Sequence, residues 1–218
     1  MIISRTPLRV SFFGGGSDLP AYYRRHGGAV LSTAIDKSVY VTVSRKFDEA
    51  VRVSYSRTEE VDRAADVEHP LVRESLALLG IEGGVEITSI ADIPARGTGL
   101  GSSSAFTVGL LNALHAFKGR HASAARLAEE SCVIELERCG EPIGKQDQYA
   151  AAFGGFNYIR FHPDDRVEDQ GGVPRRGDRR VAAAAAVLLH RRHAVGLQPA
   201  GRAVRRGRQA GRGGQRHR

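Results

Sequence analysis

Only two cysteines occur in 218 residues, Cys132 and Cys139, and neither a CxxC spacing nor a histidine cluster accompanies them. That scarcity excludes a disulfide framework and a cysteine-held metal, and it leaves buried free thiols in a reducing compartment. No apolar run approaches membrane-spanning length, and the start, MIISRTPLRVSFF, is too short and too polar for a signal peptide. A cytoplasmic protein is the expectation.

The last stretch, residues 171 to 218, lacks aromatic residues and lysine altogether. It holds 13 Arg against one acid, Asp178, for a net charge of +12. The whole chain carries +8, so residues 1 to 170 carry 8 − 12 = −4. The basic balance therefore belongs to the tail, and the body is mildly acidic. A segment of Arg, Gly, Ala and Val without aromatics builds no core and offers no rings for base stacking. We expect residues 166–218 to be a disordered basic tail, and its arginine-only character suggests a GC-rich gene read out of frame near residue 168. The alternative is an arm making non-specific contacts with nucleic acid.

Residues 1–165 read as one α+β domain, a mixed or antiparallel sheet packed with helices. LRVSFF, AVLSTAI, SVYVTVSRKF, VRVSYS, VEITSI and FNYIRF have the alternation or branched content of strands. HPLVRESLALLG, the segment from Ser102 to about Phe117, SAARLAEESCVIELERCG and QDQYAAAF read as helices.

Between VEITSI and the helix from Ser102 lies IPARGTGLGSSSA. Gly97, Gly99 and Gly101 recur at every second position and run into Ser102, Ser103 and Ser104. Glycines let the backbone turn and approach a ligand, successive N–H groups form an anion site, and a following helix adds its free donors and the positive end of its dipole. Hydroxyls in that first turn are suited to capping the helix, touching a phosphate oxygen or binding Mg²⁺. The loop contains no lysine, which excludes a Walker A motif. The uninterrupted serines after Gly101 and the distance from VEITSI argue against a dinucleotide fingerprint. A tight connection with serine caps is the plain alternative.

PARGTGLGSSSA, led by Pro94, resembles motif two of the GHMP sugar and mevalonate kinases, roughly P-x-x-x-G-L-G-S-S. Residues 7 to 18, PLRVSFFGGGSD, are similar to that family's first motif, with Arg9 and Asp18 in register. Residues 135 to 147, ELERCGEPIGKQD, are similar to the segment ending in its catalytic Asp. RTPLRVSFFGGGSDLPAYY together with GKQDQYAAAFGGFNYIRF resembles the branch that includes D-glycero-D-manno-heptose 7-phosphate kinases. Gly15 and Gly16 replace the Glu-His pair of galactokinases, which disfavours galactose.

The resemblance implies a ribosomal-protein-S5-like amino-terminal kinase domain using ATP and Mg²⁺ to phosphorylate a hydroxyl of a sugar or sugar phosphate. It assigns ATP to Pro94, Gly97, Gly99, Leu100, Gly101, Ser102, Ser103 and Ser104, and the metal to Ser103 and Glu135. Asp147 becomes the base at the acceptor hydroxyl, and Arg9 the cation that stabilises the transferring phosphoryl or lowers the Asp147 pKa. Asp18, Gly15 and Gly16 fall to the sugar. Nothing after residue 170 resembles the second half that such kinases carry, so a truncated chain, inactive or unstable as translated, is expected. A non-catalytic nucleotide- or anion-binding module with a basic tail is the rival.

Overall fold

A computed structural model describes residues 1–94 and 99–169. Gly97 and the tail beyond Asp169 lie outside the described residues, and with them the readings placed there. The elements in order are β1 (Ile2–Phe13), α1 (Pro20–His26), β2 (Gly28–Arg45), β3 (Val51–Ser54), β4 (Thr58–Val61), α2 (Pro70–Leu79), β5 (Val85–Ala91), α3 (Ser102–Phe117), α4 (Ala124–Cys132), α5 (Gln146–Phe153), β6 (Phe156–Phe161) and β7 (Val167–Asp169). A wide π-helical turn, Val133–Arg138, continues α4.

The strands form one seven-stranded sheet, β4-β3-β5-β2-β6-β7, with β1 paired to β2. All pairings are antiparallel except β3 with β5. The expected α+β architecture with a mostly antiparallel sheet is therefore what the chain adopts. The final hairpin β6–β7 carries the described fold to Asp169, past the boundary expected at 165.

Two expected strands, AVLSTAI and SVYVTVSRKF, are one 18-residue strand, β2. The polar Asp36-Lys37 between them reads as a turn, yet it is a bulge. Pro7 pairs with Ser38 and Arg9 with Ala34, so three residues of β2 lie opposite Leu8 alone. The bulge also breaks the alternation of β1. Leu8 (0% exposed) continues the core row of Ser4 and Thr6, and the next residue, Arg9, is buried as well.

α3 lies on β1 and β2 and is flanked by α2, α4 and α5. Enclosed on all sides, it buries every residue from Ser104 to His115 except Asn112. Ser4 on β1 donates its hydroxyl to Gly109 O of α3 at 2.7 Å. Leu110, Leu111 and Leu114 are all fully buried, each contributing about 1.5–3 kcal/mol relative to exposure. A second, smaller cluster joins Tyr23, Cys132, Tyr149, Ile159 and Phe161 between α1, α4, α5 and β6. No helix among the described residues is long and apolar enough to cross a membrane. The core thus fixes the first turns of α3 and α5 over the bulged end of β1, where the site is found.

Candidate functional site

Gly101 caps α3 from the left-handed region, φ 74° and ψ 29°. Its conformation is one that side chains resist, and it turns the chain abruptly into the helix. The first N–H to find an acceptor in α3 is that of Ala105, which donates to Gly101 O at 2.9 Å. Those of Ser102, Ser103 and Ser104 have none within the helix, as helix starts require, and they face outward with the positive end of the dipole. No serine side chain caps the helix.

The hydroxyls turn instead to Glu135, in the π-helical turn. Ser104 Oγ donates to its Oε2 at 2.7 Å and Thr107 Oγ1 to its Oε1 at 2.7 Å. Gln148 Nε2 on α5 also donates to Oε2. Ser103, which is exposed, stands with its Oγ 3.5 Å from Oε1. Glu135 itself is 0% exposed. Burial pushes its carboxyl above the ordinary range against the pull of these donors.

Beside this group, Arg9 and Asp147 meet from opposite ends of the chain. Arg9 Nε and Nη2 both reach Asp147 Oδ1, at 2.8 and 2.5 Å. Its Nη1 donates to Gly99 O at 2.7 Å, and its backbone N–H to Leu100 O at 3.2 Å. One arginine therefore clamps both the glycine turn and the first turn of α5. The sequence suggested that Arg9 lowers the Asp147 pKa. Arg9 does pull it down, but burial pushes it up by more, so the carboxyl stands above its usual range.

Asp18 is 2% exposed and accepts hydrogen bonds from backbone N–H groups through both carboxylate oxygens. Gly15 and Gly16 lie in the same turn, and a Cβ on Gly15 would point at Gln146 Nε2, 3.7 Å away. Pro94 is the last described residue before the loop. Thr107 was not singled out from sequence, although Ser103, Ser104 and Thr107 form a polar stripe on an otherwise apolar helix, a signal that was available.

A cavity of about 370 Å³ opens beside Ser102 and Ser103. Its walls include Val39, Ile90 and Phe106, and the rings of Tyr55 and His69. His69 lies edge-on to Tyr55, centroids 4.8 Å apart, and 5.3 Å from Phe106. Its Nδ1 is buried with no partner among the described residues, and burial lowers its pKa. An aromatic-lined hollow against a helix start suits a planar base joined to phosphates. Another hollow, about 460 Å³ beside Arg63, Ala77 and Ile81, shares no residue with the loop or with the acids.

Residues 63–155 match the model of the GHMP kinases N terminal domain. That stretch is similar to a GHMP kinase N-terminal domain. A D-glycero-alpha-D-manno-heptose 7-phosphate kinase of Campylobacter jejuni is 29% identical to the chain over 187 residues, 76% of this chain and 52% of that protein. A galactokinase of Pyrococcus furiosus is 28% identical over 174 residues, 73% of this chain and 46% of the relative. The chain spans about half the length of these curated relatives. Among solved structures, a D-glycero-D-manno-heptose 1-phosphate kinase from Bacteroides thetaiotaomicron matches with a TM-score of 0.73 at 27% identity, covering 84% of this chain and 62% of that one. A mevalonate kinase at 19% identity, TM-score 0.62, shares the fold. The first turn of α3, Glu135 and Asp147 lie within the matched stretch, and Arg9 and Asp18 lie outside it.

Proposed function

We propose that this chain is the ATP-binding part of a kinase that transfers a phosphoryl group from ATP to a hydroxyl of a sugar phosphate of the heptose 7-phosphate kind. The observation that carries this reading is the joint clamp of Arg9 on Asp147 and on the Gly99–Leu100 turn, which brings a half-buried carboxylate beside an anion-binding helix start. Phosphoryl transfer asks a protein mainly for positioning and for neutralisation of charge. The N–H groups of Ser102 to Ser104 would hold phosphate oxygens, and the aromatic-lined cavity beside them would hold the base. Asp147 would accept the proton of the acceptor hydroxyl while that oxygen bonds to the terminal phosphorus and ADP departs. Arg9, already touching Asp147, would sit beside the transferring group and offset its charge.

The residues present fit a magnesium ion. Among the described residues no cluster of three or more His, Cys, Asp and Glu forms, so an all-protein cage is not on offer. Magnesium needs less, since one carboxylate with substrate phosphates and water suffices. Ser103, exposed and 3.5 Å from Glu135 Oε1, and Glu135 would hold it. Bound there, the ion would neutralise charge on the phosphates. The cytoplasm, rich in ATP and reducing, is the compartment we propose.

Coupled measurement of ADP formation with D-glycero-D-manno-heptose 7-phosphate tests the reading. Asp147→Asn is expected to lose at least about a hundredfold in turnover while nucleotide affinity persists. Unchanged turnover in that variant removes Asp147 from the chemistry. Stabilisation of the wild-type chain by ATP without any consumption would favour a binding module instead.

A further inference from the structure

The residue that the family likeness gives to the sugar is occupied elsewhere. Asp18 stands in the glycine turn after β1, yet its carboxylate points inward and is 2% exposed. Oδ1 accepts the Gly16 N–H at 2.9 Å, which closes its own turn. Oδ2 reaches 128 positions along the chain and accepts the N–H of Gln146 at 3.1 Å, the first residue of α5. The backbone carbonyl of Asp18 accepts the N–H of Lys145 at 3.4 Å. α5 has no cap of its own, because Lys145 at the capping position offers no acceptor. Asp18 supplies it from outside, a negative charge at a helix start.

The fit is close. A Cβ at Gly144 would fall 1.9 Å from Asp18 Oδ2, so only glycine lets the carboxylate approach the turn before α5. The Gln146 side chain is held too, since Ser11 on β1 donates its hydroxyl to Gln146 Oε1 at 3.1 Å. The next residue is Asp147, gripped by Arg9 on the same strand as Ser11. The Asp18 carboxylate on its backbone N–H and the Ser11 hydroxyl on its side chain thus fix Gln146, the residue before the proposed base. A solvent-side sugar hydroxyl has no approach to a carboxylate so enclosed.

We propose that Asp18 is a positioning residue, the external N-cap of α5 that sets Asp147 against Arg9, rather than a sugar ligand. The catalytic half of this claim rests on the kinase reading above; the anchoring half does not. Misplacing a reacting group by about 1 Å costs on the order of a hundredfold in rate.

Three variants of the full chain test it: Asp18→Asn, Asp18→Ala and Gly144→Ala. The last keeps the carboxylate but drives it away. Two NMR readouts need no turnover, the exchange rates of the Gln146 amide proton and of Arg9 Nε–H, which donates to Asp147. Both are expected to accelerate in all three variants, with the fold retained by circular dichroism. Where wild type consumes ATP, kcat is expected to fall about a hundredfold with KM for the sugar phosphate unchanged. A raised KM at unchanged kcat would return Asp18 to the sugar, and unchanged exchange at Gln146 would remove the anchor. If wild type consumes no ATP, only the catalytic half of the claim falls, and the exchange rates still decide whether Asp18 anchors α5. Should Asp18→Ala fail to fold, Asp18→Asn and Gly144→Ala carry the test.

Discussion

Replacing Arg9 with methionine keeps the length of the side chain and removes its charge, along with the contacts to Asp147 Oδ1 and Gly99 O. The side chains of the pair are 10% and 22% exposed. Breaking a fully buried pair by removing one partner costs about 3–5 kcal/mol; the open rim around Asp147 screens part of this, which leaves about 2–3 kcal/mol. For a domain of this size that is a loss of about 4–12 °C in Tm. The loss should depend on pH. The Asp147 carboxyl already stands above its ordinary range, because burial outweighs Arg9. An acid raised in the folded state contributes its stability in full below the unfolded pKa, and this is lost as pH rises through the folded pKa. Removing Arg9 raises the folded value further, so the penalty should be small in acid and grow on the way to neutral pH and above. Thermal unfolding of wild type, Arg9→Met, Asp147→Asn and the double variant at pH 4 and pH 8 measures it. The double variant should be more stable than Arg9→Met at pH 8, where no unpaired carboxylate is left behind. Equal losses at both pH values, together with no coupling between the two substitutions, would refute the reasoning.

Two further outcomes follow from the same geometry. Gly101→Ala forces a side chain into the left-handed region at a cost of about 1–2 kcal/mol, and its Cβ comes within 3.3 Å of Asp147 Oδ2. ATP affinity by calorimetry should weaken with the fold intact, and an unchanged affinity would count against the helix-start cradle. Cys132 is buried, and burial pushes its thiol up to about 12. A thiol-reactive aromatic disulfide at pH 8 should leave it unlabelled until denaturant is added, whereas prompt native labelling would place it at the surface.

The motifs made Arg9, Glu135 and Asp147 legible because their spacing within each segment is local, whereas their meeting depends on the sheet and the helices. What sequence could not supply were partners chosen by tertiary packing. Ser104 is a fair helix cap by position, yet its hydroxyl serves Glu135, because α4 and its π-helical turn bring a buried carboxylate over the first turn of α3. Asp36-Lys37 has the composition of a turn, and only the pairing of the whole of β1 makes it a bulge within one strand. α1, seven residues beginning at Pro20, is too short for its periodicity to show. Arg9 is legible as a site residue but not as buried, since an alternating strand would expose the neighbour of Leu8; the bulge admits both.

Glu135, fully buried, and Asp147, half-buried, differ in a way that bears on their roles. Each is raised by burial, and a nearby acid adds to each rise: Asp147 for Glu135, Asp18 for Asp147. Asp147 has a permanent cation in contact. Glu135 has only neutral donors, three hydroxyls and an amide, and no ion pair with any described residue. Neutral donors orient a carboxylate without cancelling its charge, so Glu135 has the more to gain from a divalent cation arriving with the phosphates. Asp147, partly compensated and near the surface of the site, keeps a lone pair free to accept a proton. Environments that differ in this fashion, a permanent cation beside one carboxylate and neutral donors around the other, support a division of labour, metal holder and base, that residue type alone leaves open.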